Sequence, residues 1–199
     1  MHTQNSHQPT HDLQTLITQL QQNSPQLTKI SPLHRPIGVN GAIQLSDALK
    51  TNKTLNVLDL DSQAIEDEGV CALAEALKTH PSVEYLFLGN NYIGEQGAIA
   101  LSELLRVNQT IKSLFLDFEN PIGDKGANAL FDALLTNRTL TQLALADNNI
   151  RQLGSSLLGK VLTLNHVLKE LILIENNFGT MDSTTLGRGL ADNQGLVYL

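Results

Sequence analysis

Two sets of residues in this sequence could do chemistry together, one aromatic and one acidic. The chain of 199 residues has eight aromatic residues, three Tyr and five Phe, and no Trp. Tyr85 and Phe87 stand in one short segment, and Phe115 and Phe118 stand in another. Grouped aromatic side chains with a polar rim are typical of surfaces that bind proteins. The carboxylates at related positions are Asp59, Asp61, Asp117, Asp147 and Glu175.

Catalytic motifs are missing from the sequence, which has no GxxxxGK[ST] phosphate loop, no HExxH, no Cys pair and no GxSxG. Cys71 lies in a predicted helix with no His expected beside it, so we interpret it as a partly buried structural thiol rather than a nucleophile. His7 and His11 have a spacing that could bind a metal on a helix, but the intervening Pro9 favours a flexible tail. We therefore predict a protein that is not an enzyme and has no cofactor and no metal site.

Charge and composition restrict the partners. Lys and Arg count 13 against 20 for Asp and Glu, so the formal net charge of −7 and the lack of a basic patch predict no binding to nucleic acid. No apolar run approaches the roughly 20 residues that a membrane-spanning helix needs, so we expect no membrane partner. The single Cys fits a reducing compartment, and the polar N-terminus has no secretory pattern. We predict a cytoplasmic location, with secretion into a host cytosol without a cleavable signal peptide as the alternative.

An internal repeat indicates which elements position these residues. The turn that closes each unit carries an Asn, which His80 replaces once, and a glycine is expected in the turn before each helix. The fixed period, about 28 residues, predicts a solenoid of stacked units. The first apolar residue of the unit recurs at Leu27, Leu55, Val83, Ile111, Leu140, Leu168 and Leu196. The closing Asn recurs at Asn52, Asn108, Asn137, Asn165 and Asn193. The glycine recurs at Gly41, Gly69, Gly97, Gly126 and Gly154.

The stretch from Val83 to Thr110 is the clearest unit and reads L-x-x-L-x-L-x-x-N-x-I, with Val83 in the first position, a Gly four residues later and a helical pattern behind it. This pattern resembles a leucine-rich repeat, and the length of the period resembles the ribonuclease-inhibitor class, also seen in nucleotide-sensing immune receptors. The resemblance implies an α/β fold, a leucine-rich repeat solenoid shaped as a short right-handed horseshoe with a parallel sheet on its concave side. Because the chain lacks the Cys after the Asn and has far fewer repeats, inhibition of ribonucleases is not implied. Asn91, Asn148 and Asn176 stand where the chain leaves a strand, and their amides are expected to bind backbone groups of that turn.

The repeat register divides the chain into three parts. Residues 1–11 are polar, and we predict a disordered tail. Residues 12–26 carry the apolar spacing of an amphipathic helix with Asp12 as its N-cap, which predicts a cap on the open end of the stack. Residues 27–199 are predicted to form the leucine-rich repeat domain of about six repeats.

The last repeat is degraded. Asp182 replaces the glycine of the other units, and Gly187 and Gly189 weaken the predicted helix. The sequence then continues with half a strand, Leu196 to Leu199, whose edge could pair with another chain. We therefore expect a monomer or weak self-association through this C-terminal edge.

Strand residues between the core positions are predicted to point away from the helices. This register places Phe87 and Phe115 on neighbouring strands at the central outward position, with Tyr85 two residues earlier. Phe118 follows in a loop where the fourth unit has one extra residue, which we interpret as ordinary length variation rather than a functional loop. Two interpretations of Phe118 stay open, an exposed member of the aromatic group or a plug that folds into the core.

We hypothesise a non-enzymatic interaction module that binds a protein with a basic surface on its concave face. Tyr85, Phe87 and Phe115 would anchor that partner, and the carboxylates would steer it. A finer version is a bacterial effector that acts in a host cell. One alternative is an activator of a small GTPase, because leucine-rich activators of this kind share the repeat type that the sequence resembles. Another is a structural protein that associates with itself.

Overall fold

Short strands and helices alternate along the chain. The computed structural model describes residues 12–151, 155–176 and 183–198, so the predicted tail at residues 1–11, with His7 and His11, lies outside the described residues. The helices are α1 (Leu13–Gln21), α2 (Gly38–Leu49), α3 (Glu66–Leu77), α4 (Glu95–Val107), α5 (Gly123–Leu134), α6 (Ser155–Leu164) and α7 (Ser183–Asp192). The strands are β1 (Lys29–Ile30), β2 (Val57–Asp59), β3 (Tyr85–Phe87), β4 (Ser113–Phe115), β5 (Gln142–Ala144) and β6 (Glu170–Ile172).

The strands form one six-stranded parallel sheet in chain order. Each strand pairs with the next at an offset of one repeat, so Leu58 lies beside Leu86 and Phe87 beside Phe115. A parallel pair needs a long crossover connection, and here a helix lies between successive strands. The α/β leucine-rich repeat solenoid predicted from the sequence is confirmed, and so is its strand register.

The core lies between the sheet and the helices and is almost entirely aliphatic. The middle residue of each three-residue strand is buried, as at Leu86 and Leu114, and helix residues such as Leu101 pack against them. Phe131 is the one aromatic residue among the buried apolar side chains of the described chain. Within the described residues, no helix is long and apolar enough to cross a membrane.

Helix α1 packs at the first repeat. The Asp12 side chain accepts a hydrogen bond from the Thr15 backbone N–H at 2.8 Å, which confirms the predicted N-cap. Leu16 and Leu20 are buried in the common core. The Leu20 carbonyl also accepts a hydrogen bond from Asn52 Nδ2 at 3.0 Å, so α1 is joined to the repeat stack by both apolar and polar contacts.

A ladder of buried Asn side chains supports the turn where each strand ends. Asn91 Nδ2 donates to the carbonyls of Leu60 at 2.8 Å and Gly89 at 2.9 Å, and Asn91 Oδ1 accepts from the N–H groups of Gln63 at 3.0 Å and Ile65 at 3.3 Å. One side chain therefore satisfies backbone groups in two successive repeats, as expected for buried polar groups. The predicted turn role is confirmed for Asn91, Asn148 and Asn176.

Asn120 is a further member of this ladder that the sequence analysis missed. Its Nδ2 donates to the carbonyls of Leu88 and Leu116, each at 3.0 Å, and its Oδ1 accepts from the N–H groups of Asn91 at 3.0 Å and Ile93 at 2.9 Å. The extra residue of the fourth unit lies just before Asn120 and shifts it by one position in the sequence. The loop absorbs the insertion, and the ladder continues.

The recurrent glycine lies inside the helices, and its assignment to the preceding turn was wrong. A Cβ on Gly69 would lie 2.9 Å from the Ala42 Cβ of the preceding helix, and a Cβ on Gly126 would lie 2.8 Å from that of Ala98. The position thus lets neighbouring helices approach closely. Gly154 lies outside the described residues.

Asp67, one of three acidic residues in the first turn of α3, binds the start of the next helix. Asp67 Oδ1 accepts hydrogen bonds from the N–H groups of Gly94 at 2.7 Å and Gly97 at 2.9 Å, at the start of α4. A carboxylate is stabilising at a helix N-terminus, where free N–H groups and the helix dipole both favour negative charge. The side chain of one repeat therefore caps the helix of the following repeat.

The C-terminal part of the described chain continues the sheet by one bridge. Tyr198 pairs in parallel with Glu170, and Leu196 packs against the core while Val197 and Tyr198 are exposed. Asp182, the residue predicted to degrade the last repeat, lies outside the described residues. The described edge thus presents exposed apolar side chains beside β6.

Candidate functional site: the concave face of the sheet

The face of the sheet that turns away from the helices is the concave face, and it carries the predicted aromatic residues. In β2, β3 and β6 the middle residue is buried and the two residues beside it are partly exposed. Tyr85, Phe87 and Phe115 are therefore only half-buried, although they lie in the centre of the sheet. This exposure follows directly from the alternation of side chains between the two faces of a strand.

Phe87 and Phe115 stack on one another across β3 and β4. Their ring centroids are 4.6 Å apart and their planes differ by 10°. The two residues are register partners, so the stack follows from the strand pairing. An aromatic pair of this kind contributes about 0.5–1.5 kcal/mol beyond its buried area, which makes it a rigid apolar platform on the surface.

Beside the stack lies an open pocket of about 510 Å³, which we call the Gly89 notch. Gly89 stands in register between Asp61 on one side and Asp117 on the other, so a residue without a side chain separates two carboxylates. A Cβ on Gly89 would lie 2.8 Å from the Asp117 carbonyl oxygen and 3.2 Å from Asp61 Oδ1. The notch therefore depends on glycine here. It is lined by Asp61, Ser62, Phe87, Gly89, Asn90, Phe115, Asp117 and Phe118.

The two carboxylates of the notch are held by the backbone of the next strand. Asp61 Oδ1 accepts a hydrogen bond from the Gly89 N–H at 2.7 Å, and Asp117 Oδ1 accepts one from the Ala146 N–H at 2.8 Å. Partial burial nevertheless raises the pKa of both groups. Repulsion from Asp59 and Asp117 raises the pKa of Asp61 further, and the charge of Glu170 does so for Asp117. The carboxylates are thus fixed in position and electrostatically uncompensated.

None of the ion pairs in the described chain includes Asp61 or Asp117. The pairs join residues that lie in a helix or directly after one, or they link the residues that precede strands β3 and β4. Negative charge on the concave face is therefore available to a cation from outside. The described pairs are Lys50 with Asp47, Lys78 with Glu75 and Glu103, Arg106 with Asp132, Lys112 with Glu84, and Lys125 with Glu95.

Phe118 is exposed, so the alternative in which it plugs the core is wrong. Its side chain is 51% exposed, and its backbone has a positive φ of 62°. The Phe118 N–H donates to the Ala146 carbonyl at 2.8 Å, which holds the loop against the next repeat. The ring lines the Gly89 notch and adds a third aromatic wall to it.

The other predicted site residues lie outside the notch. Asp59 is the register partner of Phe87 on β2, and partial burial raises its pKa. Tyr85 lies two residues before Phe87, between its partners Val57 and Ser113. The last two predicted residues, Asp147 and Glu175, are exposed in the loops after β5 and β6. The structure thus brings five of the nine predicted residues around one pocket, namely Asp61, Phe87, Phe115, Asp117 and Phe118.

Three lining residues were not predicted from the sequence, namely Ser62, Gly89 and Asn90. Ser62 and Asn90 hydrogen-bond to each other between adjacent repeats at 3.0 Å, and both have a positive φ. Gly89 left a readable signal, because it is a glycine at a register position where the units on either side carry Asp61 and Asp117. The loop conformation of Ser62 and Asn90 left no such signal in the sequence.

Cys71 is exposed, so its interpretation as a partly buried thiol was wrong. It lies on the helical side of the molecule between α3 and α4, near Glu75, Lys78 and Glu103. Desolvation raises the pKa of the thiol, and the nearby carboxylates of Asp67 and Glu103 raise it further. A raised pKa keeps the thiol protonated at neutral pH, which disfavours nucleophilic chemistry. Among the described residues, no group of three or more His, Cys, Asp or Glu could hold a metal ion.

Comparison with known families agrees with the repeat architecture. A family model described as Leucine Rich repeat matches residues 51–74 and 136–158. Both segments contain a described strand of the sheet. The family model thus recognises two of the repeats, and the fold of the chain is a leucine-rich repeat solenoid. The length of its period is that of the ribonuclease-inhibitor-like class.

Solved structures with a similar fold include a tropomodulin and a leiomodin. The chain resembles the C-terminal domain of tropomodulin from Caenorhabditis elegans with a TM-score of 0.59 and 17% sequence identity, over 91% of this chain and 95% of that one. It also resembles a structure of leiomodin-1 actin-binding site 2 with a TM-score of 0.45 and 21% identity, over 88% and 87% of the two chains. No curated protein sequence matches the chain. At this identity, the likeness to tropomodulin concerns the fold.

Proposed function

We propose that this chain is a non-enzymatic module that binds a partner protein on its concave face. The observation that carries the proposal is a rigid Phe87–Phe115 stack, half-exposed beside carboxylates that have no ion pair within the described chain. Aromatic anchors at the centre of a surface and polar groups around it are the usual arrangement of a binding hot spot. The partner would present a basic surface, because the negative charge is fixed and uncompensated.

The energetics of the face also favour binding. Two stacked Phe rings half-exposed to water leave apolar area that a partner can cover, at about 25 cal/mol per Å² of area removed from water. The rings are already ordered against each other, so little side-chain entropy is lost when a partner docks. The fixed carboxylates also raise the rate of encounter with a basic partner.

The test is the capture of a partner with the intact chain, followed by titration of the purified partner by calorimetry. Phe87→Ala and Phe115→Ala should each weaken binding by about 2 kcal/mol, or about 30-fold, because each removes a central anchor. Val107→Ala is the matched control, because Val107 is an exposed apolar residue at the end of α4 and lies away from the sheet face. Its affinity should equal that of the wild type.

A second measurement distinguishes a loss of stability from a loss of binding in the Phe variants. Each Phe variant also loses the stacking of the two rings, so its urea unfolding curve is recorded and binding is compared where the variant is fully folded. Unchanged affinity of both folded Phe variants for a captured partner would remove the concave site. The purified chain is also sedimented alone. A dimer that persists in both Phe variants would favour the alternative proposal of self-association through the edge near Tyr198.

The finer proposals concern the identity of the partner. Action as a bacterial effector in a host cell predicts that the captured protein comes from a host extract. Activation of a small GTPase predicts that the captured protein hydrolyses GTP and that the intact chain accelerates this hydrolysis. A captured partner without GTPase activity would eliminate that alternative and would leave the binding proposal in place.

A further inference from the structure

The Gly89 notch has the geometry of a receptor for one planar cation. Parallel strands lie about 4.8 Å apart, so the backbones that carry Asp61 and Asp117, with the Gly89 backbone between them, are about 10 Å apart. Both side chains bind a backbone N–H of the following repeat through Oδ1. The second oxygen, Oδ2, has no hydrogen bond or ion pair with any residue of the described chain. The Asp61 carboxylate thus lies over Gly89 and the Asp117 carboxylate over Ala146. Both residues line the notch, and each has an acceptor atom free.

Charge makes the occupant of the notch a cation. Partial burial raises the pKa of Asp61 and of Asp117, and the charge of Asp117 raises that of Asp61 further. Asp59, next to the notch in β2, adds more negative charge, which the cation of Lys29 partly offsets. Within the described part of the chain, no Lys or Arg forms an ion pair with Asp61 or Asp117. A cation placed between the carboxylates would relieve their repulsion.

The shape of the notch and its apolar walls select among cations. A guanidinium is planar and carries donors on both edges, so it can bridge two carboxylates that stand on either side of it. An ammonium is a compact point charge that reaches one carboxylate well but not two across this width. Phe87, Phe115 and the exposed ring of Phe118 line the same pocket, where the aliphatic stem of an arginine can pack and its guanidinium can lie against a ring.

We propose that the Gly89 notch receives one arginine side chain of the partner protein, with its guanidinium bound between Asp61 and Asp117. The inference rests on the proposed function, since it names the side chain that the concave face recognises. It predicts a partner whose basic surface projects an arginine, and it predicts that lysine does not replace that arginine.

The direct test uses three capped pentapeptides, Gly-Ser-X-Ser-Gly, in which X is arginine, lysine or citrulline. Each is titrated into the full ¹⁵N-labelled chain, and the backbone amide signals of Gly89 and Ala146 are followed, because these N–H groups donate to the two carboxylates. The arginine peptide should shift both signals in a saturable way. The lysine peptide should bind at least about 5-fold more weakly. Citrulline, which has nearly the shape of arginine without its charge, should shift neither signal.

Variants identify the carboxylates responsible. Asp61→Asn and Asp117→Asn keep an oxygen that can accept the backbone N–H, so the fold is preserved while the charge is lost. Each should weaken binding of the arginine peptide by about 10-fold or more. Asp47→Asn is the matched control, because Asp47 lies on α2 and is paired with Lys50, and it should bind like the wild type.

Three results would overturn the proposal: equal shifts with citrulline, equal affinity for the lysine peptide, or arginine binding that survives both Asn substitutions at the notch. Its failure is distinguishable from failure of the proposed function. A captured partner that needs Phe87 and Phe115 but not Asp61 and Asp117 would leave the concave site standing and eliminate the arginine. A partner that needs none of them would eliminate the concave site, and the peptide titration would then decide the notch on its own.

Discussion

At the scale of single residues, the closing turn of each repeat shows what an Asn contributes. Asn108 Oδ1 accepts hydrogen bonds from the N–H groups of Thr110 and Ile111, each at 2.8 Å, and its Nδ2 donates to the Leu77 carbonyl at 2.8 Å. The same arrangement recurs at Asn52, Asn137, Asn165 and Asn193. One amide thus closes a turn and ties it to the preceding repeat.

His80 replaces this Asn and makes only some of its hydrogen bonds. Its Nδ1 accepts from the N–H groups of Ser82 at 3.4 Å and Val83 at 3.2 Å, both longer than the bonds to Asn108. Its Nε2 is buried and has no hydrogen-bond partner among the described residues. In register, the acceptor for this donor would be the Leu49 carbonyl. A buried donor without a partner costs about 1–3 kcal/mol, so His80 makes its closing turn less stable than the closing turns that carry Asn.

His80→Asn should therefore stabilise the protein, by about 1 kcal/mol or more at neutral pH. The shorter amide can accept from Ser82 and Val83 and donate to the Leu49 carbonyl, as the Asn residues of the other closing turns do in their own repeats. Urea unfolding of the two proteins measures the difference. His34→Asn is a control for the change of residue type, because His34 is exposed, and it should leave the free energy of unfolding within about 0.5 kcal/mol. A less stable His80→Asn variant would contradict this account of the turn.

His80 also makes the free energy of unfolding depend on pH, in a direction that follows from its pKa. Burial lowers the pKa of His80 from 6.5 to about 4. Between these values the unfolded chain binds a proton that the folded chain does not, so the contribution of His80 to stability falls as the pH falls from 6.5 to about 4. The stability difference between His80→Asn and the wild type should therefore grow over this range. If the difference in stability between the two proteins stays the same from pH 7 to pH 4.5, the protonation of His80 is not responsible for the pH dependence.

At the scale of elements, the close approach of neighbouring helices depends on the recurrent glycine. A Cβ on Gly126 would lie 2.7 Å from Ile122 Cγ2 and 2.8 Å from the Ala98 Cβ of α4. Gly187 in α7 has nothing within 4 Å of the same point. Two glycines that both stand in helices thus have different reasons to be there, one imposed by packing and one not.

Gly126→Ala and Gly187→Ala should therefore change stability in opposite directions. The first overpacks the contact between α4 and α5 and should cost about 1–3 kcal/mol. The second adds helix propensity at an exposed site and should gain about 0.5–1 kcal/mol. Urea unfolding of both variants tests the pair, each serving as the control for the other. A gain in both would show that the helices have room to separate at Gly126.

Prediction from the sequence succeeded for the strand register and for the Asn residues of the turns, and it failed for the loops that form the Gly89 notch. The strand register was predictable because apolar residues such as Leu58 and Leu86 must all reach one core, and a slip of one residue would expose them. The Gly89 notch was not, because it forms where loops with a positive φ, such as the one carrying Phe118, fold back on the next repeat. Such conformations depend on hydrogen bonds between repeats, which a single unit does not encode.

At the scale of the whole molecule, charge is divided between the two sides. The ion pairs of the described chain lie among the helices or at residues just before strands, whereas Asp59, Asp61 and Asp117 lie unpaired on the sheet. These carboxylates repel one another and are partly desolvated, so they oppose folding while they attract a cation. A binding site that is destabilising in the free protein is expected where function and stability compete.

Replacing both Asp61 and Asp117 by Asn should then stabilise the free protein at neutral pH while it abolishes arginine binding. The gain should be at most about 1 kcal/mol, because the groups are half-exposed and solvent screens their repulsion. The folded-state pKa values are raised above the ordinary 3.8, so the cost of the charges appears as the pH rises through them and is absent below 3.8. The advantage of the double variant in urea should therefore shrink as the pH falls toward 3.8, whereas Asp47→Asn should show no such advantage at any pH. A double variant that is less stable than the wild type at pH 7 would mean that the carboxylates serve the fold through the N–H groups of Gly89 and Ala146. The two carboxylates of the notch would then be explained by their role in the fold and not by the binding of a partner.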